Sequence, residues 1–102
     1  MGYYTDYNLS FDTSIDERQE VFDYIDETFG EYIDEDGYTN SKWYHHVDNM
    51  RNVSIKFPDV LFTLSGEGED NGDLWKKYFK NGKVQACYAE IVYPEFNENL
   101  ME

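Results

Sequence analysis

The sequence predicts a single α+β domain in which an antiparallel sheet of four to five strands carries two helices on one face. Three observations predict it: alternating side chains near the amino end, two amphipathic helical segments, and a hairpin signal near the carboxyl end. The expected order is strand, helix, short strand, helix and three strands. The 102 residues fit one domain, because domains usually contain about 50 to 250 residues.

The first strand and the first helix follow from their periodicity. Residues 3–11 alternate between two faces, which predicts a half-buried strand. Ser14 and Glu17 have the spacing of a capping box, which marks the start of a helix. The helix is expected over about residues 15–33. Its apolar stripe is expected at Ile15, Phe22, Ile25, Phe29 and Ile33, with Val21 and Tyr32 at its edges.

A short strand is expected at about residues 42–45, after a polar loop. Asp48 is a candidate cap for a second helix over about residues 49–57, which Pro58 would end. The following segment, residues 60–65, alternates but is rich in apolar side chains on both faces. It is therefore expected to be a central strand.

Asn81-Gly82 predicts a two-residue hairpin turn between strands at residues 74–80 and 83–93. Both turn residues tolerate the positive φ that such a turn requires. The acidic, glycine-rich residues 66–73 are expected to form an exposed loop. Cys87, the single cysteine, cannot form an internal disulfide, and its apolar surroundings predict a buried, inert thiol. Cysteine usage favours the reducing cytoplasm.

The charge balance restricts the partners that the chain can bind. There are 22 Asp and Glu residues against 8 Lys and Arg residues, giving a formal net charge of −14. Nucleic acid would be repelled by such a molecule as a whole, whereas proteins that hold nucleic acid would be attracted. The amino end lacks the features of a signal peptide, and no stretch approaches the roughly 20 apolar residues of a membrane span. Neither direct nucleic-acid binding nor a membrane partner is expected.

A row of carboxylates is expected along one face of the first helix. Between residues 16 and 36 the only base is Arg18. Like charges three or four positions apart destabilise a helix, so the row either serves solubility or imitates a phosphate backbone and binds a basic groove. The second interpretation assigns partner binding to a helix set and a loop set: Asp16, Glu20, Asp23, Glu27, Glu31, Asp34, Glu35 and Asp36, extended by Glu67, Glu69 and Asp70.

The predicted hairpin is the alternative binding surface. Basic residues interleaved with aromatic ones can hold single-stranded nucleic acid by charge and stacking, although lysines also protect exposed sheet edges from aggregation. The residues assigned to this alternative are Lys76, Lys77, Tyr78, Lys80 and Lys83.

Catalysis, metals and cofactors are not expected. His45 and His46 are adjacent, so on a strand they would point to opposite faces and could not easily share a metal. Two acidic, glycine-containing segments superficially resemble calcium loops, but Trp43 or Tyr78 would occupy the position of the bidentate glutamate. The chain contains no nucleophile elbow and no glycine-rich phosphate loop. We therefore expect a non-catalytic protein without a cofactor.

Three segments between residues 42 and 85 are distinctive: Lys42-Trp43-Tyr44-His45, Phe57-Pro58-Asp59-Val60-Leu61-Phe62, and above all the run from Gly66-Glu67-Gly68-Glu69 to Asn81-Gly82. Through these segments, residues 42–85 resemble small phage and mobile-element proteins of a ferredoxin-like, YubB-like α+β type. Small acidic proteins of such elements include anti-CRISPR proteins. The resemblance thus implies an inhibitor of a type II CRISPR effector, since Cas9 holds its guide and target in a positively charged channel. The alternative is a phage nucleic-acid-binding or regulatory module that uses the hairpin.

Overall fold

The computed structural model describes residues 3–34, 36–70, 72–90 and 92–102. Within them, the strands form one antiparallel sheet ordered β2-β1-β3-β4-β5. The predicted α+β class and the predicted order of elements are confirmed. The elements are β1 (Thr5–Phe11), α1 (Ile15–Phe29), β2 (Tyr38–Ser41), α2 (His46–Lys56), β3 (Phe62–Gly68), β4 (Leu74–Lys80), β5 (Lys83–Tyr88) and a 3₁₀ turn at Glu98–Leu100.

The strand order differs from that of a ferredoxin-like sheet. There, strands joined through a helix run parallel to each other, whereas β1 and β2 are antiparallel neighbours although α1 connects them. The loop after α1 explains the difference, because it returns alongside β1 before β2 begins. The Leu9 amide donates to the Gly37 carbonyl at 2.6 Å.

Both helices pack on the same face of the sheet, which we call the helix face. Buried side chains of β1, β3 and β4 form one hydrophobic cluster with buried residues of α1 and α2. No helix in the described part of the chain covers the opposite face, which we call the open face. Side chains of the open face, assigned from strand register, include Asp6, Asn8, Tyr38, Ser65, Glu67, Leu74, Lys76, Tyr78, Lys80, Lys83 and Cys87.

The first helix is shorter than predicted and its buried stripe is shifted. It ends at Phe29, with Gly30 as its C-cap, rather than near residue 33. Ile15 is 87% exposed because it is the first helical residue and lies beyond the core, whereas Val21 is fully buried. The stripe that faces the sheet therefore consists of Val21, Ile25 and Phe29.

The short second strand was predicted in the wrong place. It spans Tyr38–Ser41, pairing with β1, rather than residues 42–45. Trp43 is fully buried, and its carbonyl accepts a hydrogen bond from the Tyr7 hydroxyl at 3.1 Å. This anchoring turns the chain into α2, which consequently begins at His46 instead of Asn49.

The hairpin turn is confirmed, since Asn81 and Gly82 have φ values of 49° and 78°. Its tip is fixed to α2: the Gly82 amide donates to Ser54 Oγ at 2.8 Å, and Arg51 Nε donates to the Gly82 carbonyl at 2.8 Å. The second hairpin strand, β5, ends at Tyr88 rather than at residue 93.

Cys87 is half-buried rather than buried in the core. Its partner in the register is Lys76, which places the cysteine on the open face. The apolar run that suggested burial belongs to an edge strand, so the alternation of side chains decides the position of the thiol.

In the described segments, neither helix has the length and apolar character that crossing a bilayer demands.

Candidate interaction surfaces

The outer face of α1 carries the predicted row of carboxylates. Ser14 Oγ accepts from the Glu17 amide at 3.2 Å and so caps the helix. Because the buried stripe of α1 faces the sheet, the opposite side of the helix faces solvent. Four of the predicted contact residues lie in the helix and are exposed: Asp16, Glu20, Asp23 and Glu27.

The polar side chains near this row do not neutralise its negative charge. The Arg18 guanidinium lies over the rings of Phe11 and Phe22, at 5.1 and 5.0 Å from their centroids, where cation–π attraction holds it. Gln19, a neutral residue, donates from Nε2 to Asp23 Oδ1 at 2.9 Å. Arg18 therefore attaches α1 to the sheet.

The predicted acidic residues after α1 do not continue the helical row. Glu31 is exposed but follows the C-cap of the helix. Asp34 Oδ1 accepts from the amides of Asp36 and Tyr38 at 3.0 and 3.2 Å, so this carboxylate has a structural role in the turn. Asp36 is exposed. Glu35 lies outside the described residues.

Glu67, Glu69 and Asp70 are placed away from the α1 row. Glu67 lies opposite Asp6 in the register of β1 and β3, on the open face. Glu69 and Asp70 follow in the loop after β3. Tyr3 fastens this loop: its hydroxyl donates to Asp73 Oδ2 at 2.6 Å and accepts from the Asp70 amide at 2.9 Å. Since α1 packs on the helix face, the two acidic sets are separate surfaces.

The hairpin lysines are divided between the two faces of the sheet. Lys76, Tyr78 and Lys80 alternate along β4 on the open face, and Lys83 lies opposite Lys80 in the register. Lys77 lies on the helix face instead, between the buried Trp75 and Phe79. The predicted set of four lysines with Tyr78 is therefore incorrect as a single surface, and Lys77 does not belong to it.

Lys77 forms a half-buried cluster with His46 and Trp75. Lys77 Nζ lies 2.8 Å from His46 Nε2 and 4.4 Å from the centroid of the Trp75 ring. His46 stacks on that ring at 5.1 Å, and its Nδ1 lies 2.9 Å from the Trp43 carbonyl. This geometry assigns a neutral imidazole, because Nδ1–H donates to the carbonyl and Nε2 accepts from the ammonium group.

Burial is the main cause that lowers the pKa of His46; the charge of Lys77 adds to it, and the hydrogen bond to Trp43 opposes it. Burial also lowers the pKa of Lys77, opposed by Asp73. Both shifts follow from removing a charged group from water. The titratable groups around the imidazole are thus Lys77 and Tyr7, whose ring centroid lies 5.4 Å from that of His46. The charge of Asp73 acts on Lys77, where it opposes the lowering of the lysine pKa.

His46 is expected to make stability fall as the pH is lowered. Below the ordinary histidine pKa of about 6.5 the unfolded chain gains a proton that the folded protein does not accept. The loss continues until the lowered folded pKa is reached, at no more than about 1.4 kcal/mol per pH unit. His46→Gln preserves a donor and an acceptor but does not titrate, so urea denaturation of this variant should have a shallower pH dependence.

The matched control is His45→Gln, because His45 is the neighbouring residue and is exposed. Its pH dependence between about pH 7.5 and 5.5 should follow the wild type, because the buried contacts of His46 remain intact in this variant. Equal slopes for His46→Gln and the wild type would contradict the neutral assignment.

Within residues 3–34, 36–70, 72–90 and 92–102, no three His, Cys, Asp or Glu side chains converge as ligands of a metal ion would. His45 and His46 occupy the N-cap and first residue of α2 rather than a strand. His46 uses both ring nitrogens within the protein.

Two residues of these surfaces were missed by the sequence analysis. Asp26 is exposed on the flank of the α1 row and, with Asp23 and Asp34, lines a shallow cavity of about 290 Å³. Its spacing of three from Asp23 was an available signal. Tyr38 lies on the open face and is 48% exposed. No local signal could identify it, because its position depends on the register of β2.

Comparisons with protein-family models, with curated proteins and with solved structures found no match to this chain.

Proposed function

We propose that this protein is a non-catalytic inhibitor that binds a nucleic-acid-handling protein through the outer face of α1. The α1 row (Asp16, Glu20, Asp23 and Glu27) supports the proposal, because it is carried by an ordered helix and is exposed. A groove that normally holds a phosphate backbone is lined with lysine and arginine. The row would occupy such a groove and exclude the nucleic acid.

The charge density of α1 suits this role. With Asp26 on its flank, the row places five carboxylates along about 16 Å of helix axis. This is about one charge per 4 Å, comparable with the one charge per roughly 3.4 Å along a DNA strand. A rigid helix also avoids the entropic penalty of ordering a flexible acidic segment on binding.

The α1 row lowers the stability of its own helix. Carboxylates at spacings of three and four repel one another by a few tenths of a kcal/mol per pair. The last turn of α1 contains no basic residue, although a positive charge there would stabilise the helix by interacting with its dipole. A row that served solubility alone could be spread over the surface with less destabilisation of the helix.

The open face is the alternative surface, for single-stranded nucleic acid. Lys76, Tyr78, Lys80 and Lys83 share it, but Asp6 and Glu67 lie on the same face and would repel phosphate. We therefore assign the inhibitory function to α1, and expect no shift of single-stranded DNA or RNA in a low-salt gel assay.

The partner to test first is a Cas9-type effector, which holds its guide and target in a positively charged channel. The triple variant Glu20→Lys, Asp23→Lys, Glu27→Lys should raise the dissociation constant at least about tenfold and abolish inhibition of cleavage. The fold should survive, because the first of these substitutions places a lysine four residues after Asp16, where the two charges attract. Binding of the wild type should weaken with salt.

The matched control is Glu67→Lys, Glu69→Lys, Asp70→Lys, which changes the net charge by the same amount on a different surface. Its dissociation constant should change less than about threefold, because only long-range attraction is altered. Equal losses in both variants would show that net charge, rather than the α1 row, carries the binding. Circular dichroism verifies that both variants are folded.

A further inference from the structure

The open face contains a groove of about 550 Å³. Leu74, Tyr78 and Ala89 contribute apolar lining, and Lys76 lies among them on β4, whereas Asp6 and Glu67 line the side formed by β1 and β3. Lys80 and Lys83 continue the same face beyond the groove. The side formed by β4 and β5 therefore suits an apolar segment whose carboxylates lie toward Lys76, Lys80 and Lys83 and away from Asp6 and Glu67.

The carboxyl-terminal residues 92–102, which we call the tail, have this chemistry. Their large apolar side chains are between 67% and 83% exposed: Val92, Tyr93, Phe96, Leu100 and Met101. Tyr93 and Phe96 lie in an irregular segment and Leu100 in the 3₁₀ turn that follows it, so three large apolar side chains lie within residues 93–100. Glu95, Glu98 and Glu102 lie between and beside them. The turn at Glu98–Leu100 is already formed, with Asn97 Oδ1 accepting from the Asn99 amide at 3.0 Å.

The tail projects from the domain instead of covering its own groove. The radius of gyration is 16.8 Å and the longest dimension 56 Å, whereas about 13 Å is the radius expected for a compact chain of 100 residues. The Ala89 amide still donates to the Leu74 carbonyl at 2.9 Å, and Pro94 disfavours the helical conformation for Tyr93, which favours an extended chain there.

We propose that two copies of this chain exchange tails, each tail binding in the groove of the other copy with its glutamates beside Lys76, Lys80 and Lys83. Such a contact is self-complementary and closes with two-fold symmetry. The two aromatic anchors of a tail bury about 300–500 Å². Two tails and the matching groove surfaces then bury roughly 1,200–2,000 Å², the size of a standard interface.

Sedimentation of the 102-residue chain over a wide concentration range tests the exchange. A monomer–dimer equilibrium is expected, and Phe96→Ser with Leu100→Ser should weaken it at least about tenfold, because two apolar anchors are lost. Lys76→Glu should weaken it as well. Lys56→Glu, the same charge change at the exposed end of α2, should leave it unchanged.

Mixing the tail variant with the Lys76→Glu variant distinguishes exchange from other dimers. The mixture pairs one intact tail with one intact groove, so it should contain more dimer than either variant alone. A monomer at every concentration, as when each tail covers its own groove, would overturn the proposal. So would a dimer that is insensitive to the tail substitutions.

The exchange is independent of the proposed inhibitory function, because α1 and the groove lie on opposite faces of the sheet. The α1 triple variant should therefore dimerise like the wild type while losing the partner. A dimer without inhibition, or inhibition without a dimer, identifies which of the two proposals has failed.

Discussion

Replacing Trp43 by alanine is expected to destabilise the protein by about 3–5 kcal/mol, a large share of the roughly 5–15 kcal/mol that holds a domain folded. Trp43 is fully buried, and its ring packs against Tyr7, Phe29 and Tyr32 at centroid distances of 5.3, 5.4 and 6.0 Å. Its indole Nε1 donates to Asn49 Oδ1 at 2.7 Å. Urea denaturation followed by circular dichroism should show a large shift to lower midpoint.

Tyr44→Ala is the control for this substitution. Tyr44 is the next residue but is 65% exposed, and its hydroxyl accepts from the Tyr3 amide at 3.2 Å. Its removal should change the free energy of unfolding by no more than about 0.5 kcal/mol. Similar midpoints for the Trp43→Ala variant and the wild type would contradict the central position of the indole.

This position of Trp43 links the core to the α1 row. Phe29 is the last residue of α1 and Tyr32 follows it, so the indole supports the carboxyl end of the helix. If the α1 row binds the partner, Trp43→Ala should weaken binding only under conditions in which the fold is lost. The charge variants should weaken it while the fold remains.

Local physical chemistry determined the elements that were predicted correctly. The alternation in β1, the Ser14 cap and the Asn81-Gly82 turn depend on neighbours in sequence. The exposed carboxylates of α1 were predictable for the same reason, since helical spacing alone places Asp16, Glu20, Asp23 and Glu27 on one side.

Some of the incorrect predictions concern elements whose position depends on contacts between residues that are distant in sequence. The aromatic segment around Trp43 has strand-like composition, but the burial of the indole turns it into the start of α2. The end of α1 coincides with Gly30, a local stop signal that the predicted end near residue 33 did not take into account. Lys77 was a different error: it alternates with Trp75 and Phe79, so the period of two already separated it from Lys76 and Lys80.

Gly66→Val is expected to have the second large effect, a destabilisation of about 1–3 kcal/mol from overpacking. Gly66 is opposite Trp75 in the register, and a Cβ at this position would overlap Cε2 and Cζ2 of the indole. The ring has little freedom to move, because His46 stacks on it at 5.1 Å and Lys77 Nζ lies 4.4 Å from its centroid. Urea denaturation measures the loss.

Ser65→Val is the matched control, because the neighbouring side chain lies on the open face and valine is favoured in strands. It should change stability by less than about 0.5 kcal/mol.

The cause of the Gly66 effect is tested by repeating Gly66→Val in a Trp75→Phe background. The smaller ring leaves room for the valine, so the two substitutions should be coupled by about 0.5–3 kcal/mol in the stabilising direction. Strict additivity would mean that the indole is not what excludes a side chain from residue 66.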